Sequence, residues 1–375
     1  MRAETKAEVF FHNARSDSHK NRLAKLTELL AKSGLGSRVR PGDLVAVKLH
    51  WGEPGNAGYL PVPYARTIVE AIRQIGAKPF LTDTSTLYTG MRRNAVDNVQ
   101  AAALNGFSLA SLQAPVIVAD GLCGRDAREV PIPSGTARIA TGILDADAMV
   151  VLSHVKGHMI FGYAGALKNL GMGCTTPAGK QYLHSDLRPK VDPARCEGDA
   201  ICVRRCPESC IEMVKGRGGK RVARIDAKRC IGCGECTAAC PHGAIPIRWK
   251  TSPESIQRKT AEYALAALAG KRDQCLFVNL AIQVTPDCDC CDWNDPPFVP
   301  DVGLAASADP VALDVACADL VAASPPCPLS KADGCQGDPW RAVYDVDYRV
   351  IFEHAERIGL GSREYALREL SPVKG

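Results

Sequence analysis

The sequence has little net charge and lacks any long apolar run, and each absence excludes a class of protein. The 46 basic residues exceed the 41 acidic ones by a formal charge of +5, which is too little to indicate nucleic-acid binding. No apolar run approaches the roughly 20 residues that a membrane-spanning helix needs, so we expect no membrane span. No Gly-x-Gly-x-x-Gly motif follows a candidate strand, so the dinucleotide-binding fingerprint is missing. What is present is a globular composition, with 46% hydrophobic and 23% charged residues.

The cysteine content bears on the compartment and on metal binding. The first residues, MRAETKAEVFFHNARSD, are polar and lack the apolar segment of a signal peptide, which predicts a cytoplasmic protein. Its 17 cysteines would then meet a reducing environment, where disulfides are rare. We therefore expect the cysteines to bind metal.

Short apolar runs alternate with segments of helical periodicity, which is the pattern of βα units around a mostly parallel sheet. Strands are predicted at Glu8–His12, Leu44–His50, Pro79–Asp83, Pro115–Asp120, Ala148–His154 and Cys275–Val284. Helices are predicted at Ser18–Lys32, Pro63–Ile75, Asn94–Asn105, Ala137–Leu144 and Pro253–Ala269, and a further βα unit at Val302–Val321. The expected fold class is α/β, a mostly parallel sheet with flanking helices, in one discontinuous domain of residues 1–190 and 250–375. Residues 191–249 interrupt the pattern and should form a small inserted α+β module.

The inserted segment contains a complete cysteine motif. Cys230, Cys233, Cys236 and Cys240, the last followed by Pro241, have the spacing C-x2-C-x2-C-x3-C-P. Three thiolates on one tight loop can hold three corners of an iron–sulfur cluster, and the fourth reaches the other cluster in two-cluster ferredoxins. The segment thus resembles a bacterial-type ferredoxin module, and zinc-binding C-x2-C pairs are the alternative.

An upstream copy of the motif has the same spacing but carries a carboxylate in place of the second thiolate. Its members are Cys196, Asp199, Cys202 and Cys206. By the crossing rule, one 4Fe-4S cluster uses Cys206, Cys230, Cys233 and Cys236. The other cluster uses Cys196, Cys202, Cys240 and either Asp199 or an outside ligand. Because a carboxylate is a harder ligand than a thiolate, the second cluster is expected to be either 4Fe-4S with an aspartate ligand or 3Fe-4S.

Two features inside the module leave alternatives open. Cys210 either substitutes as a cluster ligand or packs as a small buried residue. The stretch from Lys215 to Arg229 is rich in Lys and Arg. It either attracts an anionic redox partner protein or forms a solvated hairpin.

Four polar signatures stand out elsewhere in the chain. They are KLHWGEPGNAGYL at Lys48–Leu60, LTDTSTLYTG at Leu81–Gly90, SHVKGHMIFGYAGALKNLGMGC at Ser153–Cys174 and TPDCDCCDWNDPPFVPDVGLAASADPVALD at Thr285–Asp314. Together they resemble a bacterial and archaeal family known as domain of unknown function 362, many of whose members carry an inserted ferredoxin. One departure is the segment Tyr163-Ala164-Gly165-Ala166, where the family pattern is richer in Gly. The resemblance covers nearly the whole chain and implies the fold and the site more than the activity.

Polar residues follow several of the predicted strands. They are His50, Asp83, Asp120 and His154. Ligands of open α/β sheets bind beyond the carboxyl ends of the strands, so we expect these side chains to line a pocket. Lys156, His158, Lys168, Lys180 and His184 follow in a Gly-rich region.

This group of residues is expected to bind an anionic small molecule through its lysines and to move protons through its histidines. The alternative is that Lys168 and Lys180 are ordinary surface residues. The candidate catalytic residues are His50, Asp83, His154, Lys156, His158 and Lys168.

A second group of cysteines lies near the end of the chain. Cys288, Cys290 and Cys291, together with Cys174, are candidate ligands of a third metal centre, because soft thiolates select iron–sulfur clusters, zinc or copper(I). The C-x-C spacing is too tight for a ferredoxin loop. The alternative is a set of catalytic or structural thiols without metal.

Three functions fit these features. The first is an iron–sulfur oxidoreductase, in which the module transfers electrons to or from a substrate site in the α/β domain. The second is a non-catalytic electron carrier or docking subunit for a partner redox enzyme. The third is an iron-dependent hydro-lyase or isomerase that uses an open iron as a Lewis acid.

Overall fold

The computed structural model describes residues 6–87, 90–184, 188–206, 208–230, 234–246 and 251–370. Its strands are β1 (Ala7–Asn13), β2 (Leu44–Lys48), β3 (Lys78–Asp83), β4 (Val116–Val118), β5 (Ala127–Ile132), β6 (Gly135–Ala140), β7 (Ala148–His154), β8 (Lys156–His158), β9 (Gly162–Ala164), β10 (Ile211–Lys215), β11 (Arg221–Ile225), β12 (Cys275–Ala281), β13 (Gly303–Ser307) and β14 (Tyr365–Glu369). Its α-helices are α1 (Arg22–Lys32), α2 (Leu35–Arg38), α3 (Val62–Gln74), α4 (Ala95–Leu104), α5 (Leu109–Leu112), α6 (Thr141–Leu144), α7 (Ala166–Gly171), α8 (Pro177–His184), α9 (Ile201–Arg205), α10 (Glu235–Ala239), α11 (Pro253–Ala267), α12 (Pro310–Ala322), α13 (Pro339–Val343) and α14 (Arg349–Arg357). Every helix in these ranges is too short or too polar to cross a membrane.

Eight strands form one central sheet in the order β14-β1-β13-β12-β7-β2-β3-β4. All neighbouring pairs are parallel except those of β13, which runs antiparallel to both β1 and β12. The central strands β7 and β12 are buried along their whole length, as expected for strands covered by helices on both faces. The α/β prediction with a mostly parallel sheet is confirmed.

The two faces of the sheet carry separate hydrophobic cores. Along β7, Met149 and Val151 belong to the core under α7, α11 and α12. Val150 and Leu152 belong to the core under α1 and α3. This alternation follows from the two-residue period of a strand.

One predicted element is wrong. The segment Ala137–Leu144, predicted as a helix, forms most of β6 and then the single turn α6. β6 pairs with β5 as an antiparallel hairpin, in which Ala137 and Ile139 are buried and the intervening Arg138 is partly exposed. A strand has this two-residue alternation, and the cross-strand pairing overrides the helix propensity of alanine.

A third, smaller hydrophobic cluster lies within residues 191–245. It contains described cysteines of both motifs, packed with side chains of the β10–β11 hairpin. The hairpin accounts for the basic stretch of the sequence, since its Arg221 and Arg224 are exposed.

Candidate functional site

A cavity of about 440 Å³ lies beyond the carboxyl ends of β2, β3 and β7. All six candidate catalytic residues line it: His50, Asp83, His154, Lys156, His158 and Lys168. Lys180, His184, Cys288, Cys290 and Cys291 line it as well. Asp120 does not line it and instead accepts hydrogen bonds from the backbone N–H and the hydroxyl of Ser85.

A buried chain of ion pairs forms one wall of the cavity. Lys48 Nζ lies 3.0 Å from Asp83 Oδ1 and donates to Asn169 Oδ1 at 2.6 Å. Arg92 continues the chain, with Nη1 3.7 Å from Asp83 Oδ2 and Nε 2.7 Å from Glu53 Oε2. Because buried ion pairs are costly to break, Asp83 and Lys48 are firmly placed. The sequence carries no signal that Arg92 and Glu53 belong to this chain, since both lie in loops.

Close packing explains why position 173, in the Gly-rich region, is a glycine. A Cβ at this position would collide with Lys48 Nζ. The residue therefore lets the main chain approach the buried ammonium group.

Asp289 ties the loop after β12 to the end of β7. Its carboxylate lies 3.0 Å from His154 Nδ1 and accepts from Lys156 Nζ at 2.8 Å. Burial alone would raise the pKa of Asp289, but Lys156 and His154 outweigh burial and hold this pKa well below its usual range. The other nitrogen of His154 faces the carbonyl oxygens of Ile282 and Gln283 at 2.9 and 3.0 Å. Both nitrogens of His154 thus have fixed acceptors, so this ring holds the loop in place.

Two cations of the cavity lack a carboxylate partner among the described residues. Lys168 Nζ donates to Cys288 Sγ at 3.1 Å. Lys180 Nζ donates to Thr84 Oγ1, to the carbonyl oxygen of Ser85 and to that of Thr175, at 2.6 to 2.7 Å. Burial lowers the pKa of Lys180 to about 8. These two lysines add positive charge to the cavity that no described carboxylate pairs with directly.

Three imidazoles of the cavity, those of His50, His158 and His184, are neutral. Burial lowers the pKa of His50 and His158 well below the usual value, and nearby cations including Arg92 and Lys168 lower it further. Burial likewise lowers the pKa of His184 to about 3. His158 Nδ1 accepts from the Ile160 N–H at 3.1 Å, so the ring proton lies on Nε2.

Soft ligand atoms meet at the cavity wall. One ligand atom each from His158, Cys288 and Cys290 lies within 4.8 Å of the others, among the residues that the structure describes. A hydrogen bond with Cys290, and then burial, raise the pKa of the Cys288 thiol. Cys174, which the sequence suggested as a fourth member, is fully buried in the main core. The sequence did not indicate His158 as a companion of these cysteines.

Within residues 191–249, Cys196, Asp199, Cys202 and Cys240 line one small cavity. Cys240 belongs to the downstream motif and the other three to the upstream one. Asp199 Oδ2 lies 3.1 Å from His242 Nε2, and its Oδ1 accepts from the Ile201 N–H at 3.0 Å.

The thiol of Cys206 lies 3.3 Å from that of Cys210. Burial first, and then Cys206, raise the pKa of Cys210 to about 12. Cys230 and Cys236 are buried in the same cluster, whereas Cys233 lies outside the described residues.

The module packs against the helix that lines the cavity. Gly234, at the start of α10, has φ +75°, and a Cβ there would collide with the Gln181 side chain. Gln181 is buried in α8, the helix that also carries Lys180 and His184 to the cavity. One short helix, α8, therefore contacts both the cysteine-rich segment and the cavity.

The fold and site together define an α/β protein whose open, mostly parallel sheet has a cation-rich cavity at its carboxyl edge. A family model described as Domain of unknown function (DUF362) matches residues 45–319. The chain belongs to this family, as its sequence signatures predicted.

Comparison with curated proteins finds no match. Among solved structures, the chain is similar to the lactate racemase apoprotein from Thermoanaerobacterium thermosaccharolyticum, with 11% identity and a TM-score of 0.36 over 73% of this chain and 50% of that one. It is also similar to a structural-genomics target from Thermotoga maritima, with 10% identity and a TM-score of 0.36 over 77% of this chain and 57% of that one. The chain thus spans about half the length of these two proteins.

Proposed function

We propose that the protein is an iron–sulfur oxidoreductase, in which the inserted module passes single electrons between an external redox partner and an anionic small molecule in the cavity. The observation that carries this proposal is the position of α8. One part of this helix, at Gln181, contacts the cysteine-rich module, and another part, at Lys180 and His184, lines the cavity. A redox group in the module would then lie next to the bound substrate, which makes electron delivery intramolecular.

The cysteine positions support the cofactor assignment. Cys196, Cys202 and Cys240 line one cavity although they come from two motifs, as the ligand exchange of two-cluster ferredoxins would require. Backbone N–H groups already point at sulfur, since those of Ala223 and Cys210 lie 3.4 Å from Cys196 Sγ and Cys206 Sγ. Such hydrogen bonds to sulfur favour ligand thiolates and tune the reduction potential.

The described residues Cys196, Asp199, Cys202 and Cys240 fit one cluster and would hold it. The other cluster rests on the motif spacing, by which Cys206, Cys230, Cys233 and Cys236 would hold it. When bound, the clusters would supply one-electron transfer to the cavity.

The positive charge of the cavity supports the proposal of an anionic substrate. Lys168 and Lys180 have no carboxylate partner in the described chain, so their positive charge attracts a carboxylate or phosphate group. The three N–H groups of Lys180 already donate to Thr84, Ser85 and Thr175, so this lysine acts through its charge rather than through a hydrogen bond. Lys156 contributes less, because Asp289 already neutralises it.

The cofactor assignment is tested by anaerobic iron and sulfide analysis with EPR after reconstitution. We expect two clusters, and we expect Asp199→Cys to retain iron against a chelator better than the wild type, because thiolate is the softer ligand. Glu212→Cys adds a thiol at an exposed position of the same module and should behave like the wild type. Reconstituted protein without charge-transfer absorption or a paramagnetic signal on reduction would refute the assignment.

The reaction class is tested by mixing reduced protein anaerobically with a panel of small carboxylates and phosphates. A substrate should speed reoxidation of the wild type, and Lys168→Met should lose most of this effect. Lys32→Met, at an exposed lysine of α1, is the matched control. A compound that is turned over without an electron donor, at an undiminished rate by Cys230→Ala, would eliminate the oxidoreductase.

A further inference from the structure

The cavity wall contains a second set of soft ligands, separate from the ferredoxin motifs. His158, Cys288 and Cys290 each present a ligand atom within 4.8 Å of the others. His158 and Cys288 are buried, Cys290 is partly buried, and all three line the 440 Å³ cavity.

Contacts other than those of the ligands themselves hold together the two segments that carry these ligands. β7 and β12 are parallel neighbours in the sheet, so β8 and the loop after β12 emerge side by side. The Gly157 N–H donates to the Thr285 carbonyl oxygen at 2.8 Å, and a Cβ at Gly157 would collide with the Pro286 carbonyl oxygen. Asp289 fastens the same loop to Lys156. The three ligands are therefore fixed by contacts on either side of them in the chain.

We propose that His158, Cys288 and Cys290 bind a divalent zinc or ferrous ion whose remaining position faces the cavity and takes an oxygen atom of the substrate. Two thiolates and one imidazole suit these ions, and three protein ligands with one open position characterise catalytic zinc sites. This site is independent of the clusters in the module.

The surroundings complete the site. Lys168 donates to Cys288 Sγ at 3.1 Å, and a hydrogen bond of this kind orients a ligand and adjusts its basicity. Ligation through His158 Nε2 moves the ring proton to Nδ1 and gives up the hydrogen bond from Ile160. Nδ1–H would then face the Ile160 N–H, so these two groups must also move apart, and this loss is small against three metal–ligand bonds. Among the described residues, the group has no fourth protein ligand and Cys291 lies outside it, so the proposal assigns the fourth position to the substrate.

The test is a titration of the full reconstituted chain with Co²⁺ after removal of loosely bound metal, followed by visible ligand-field bands. We expect uptake of about one ion per chain with a four-coordinate spectrum. Uptake should be lost in Cys288→Ser and Cys290→Ser and weakened by roughly 10- to 100-fold in Lys168→Met. Added azide should change the spectrum, because it occupies the open position.

Controls separate metal binding from folding. Cys335→Ser changes a cysteine outside the cavity, Cys291→Ser changes the neighbouring thiol, and both should bind Co²⁺ like the wild type. Circular dichroism checks that each variant is folded, and EPR of the module checks the clusters separately. Wild-type uptake no greater than that of the folded Cys288→Ser/Cys290→Ser double variant would overturn the proposal, as would loss of uptake in Cys291→Ser or a spectrum insensitive to azide.

Discussion

Replacing Asp289 with Asn should lower the free energy of unfolding by about 3–5 kcal/mol, because it removes one partner of a buried ion pair. The Asp289 side chain is 1% exposed and that of Lys156 is 6% exposed, so water cannot replace the lost charge. The amide oxygen of Asn could accept from either Lys156 or His154, and its NH2 group would face the other donor. The ammonium of Lys156 would then be buried without compensation.

The effect should also depend on pH. The pKa of Asp289 is held well below its usual value, which is about 4 in unfolded chains. The unfolded state therefore takes up the proton first as the pH falls, and wild-type stability declines below about pH 4. Asp289→Asn lacks this dependence on pH. The difference in the free energy of unfolding between the two proteins should therefore be largest at pH 7 and should shrink below about pH 4.

Urea unfolding followed by tryptophan fluorescence measures this difference, since Trp51 and Trp340 are fully buried reporters. Asp145→Asn is the control, because its pair with Arg128 is 66% and 53% exposed and should contribute less than about 1 kcal/mol. If Asp289→Asn lowered the free energy of unfolding no more than Asp145→Asn does, the Asp289 carboxylate would not anchor the loop.

Two further predictions concern the cavity and the module contact. Burial lowers the pKa of Lys180 to about 8, so the positive charge of Lys180 is lost as the pH rises through 8. The affinity for sulfate, measured by calorimetry, should therefore weaken across that range in the wild type and stay constant in Lys180→Met. A wild-type affinity that does not change with pH would contradict this prediction. Gly234→Ala should destabilise the protein by about 1–3 kcal/mol more than Gly219→Ala, because both have positive φ but only Gly234 meets Gln181. Hydrogen exchange should show α8 opening more often in Gly234→Ala alone, whereas equal effects of both variants would exclude close packing of the module on this helix.

Local patterns predicted most of the sheet. The prediction Ala148–His154 coincides with β7, because a short apolar run with polar residues beyond its end is a strong strand signal. The direction of β13 was not predictable in this way, since an apolar strand has the same composition in either orientation. Its antiparallel pairing with both β1 and β12 depends on how the connecting segments run.

The pocket was predicted in part. Strand-end positions placed His50, Asp83 and His154 correctly at the cavity, because the ends of parallel strands meet at one edge. The same rule was wrong for Asp120, which does not line the cavity. The reason is that β4 ends at Val118 and the Asp120 carboxylate bonds to Ser85 instead. Arg92 and Glu53 carried no local signal.

The sequence by itself determined the spacing of the cysteines between Cys196 and Cys240, and this spacing sets which thiolates one short loop can present together. Only the tertiary structure decided which distant residues share the cavity. His158, rather than Cys174, joins Cys288 and Cys290, and Lys156 pairs with Asp289, 133 positions further along the chain. These contacts depend on β7 and β12 being neighbours in the sheet, and strand order is set by packing of the whole domain rather than by any local segment.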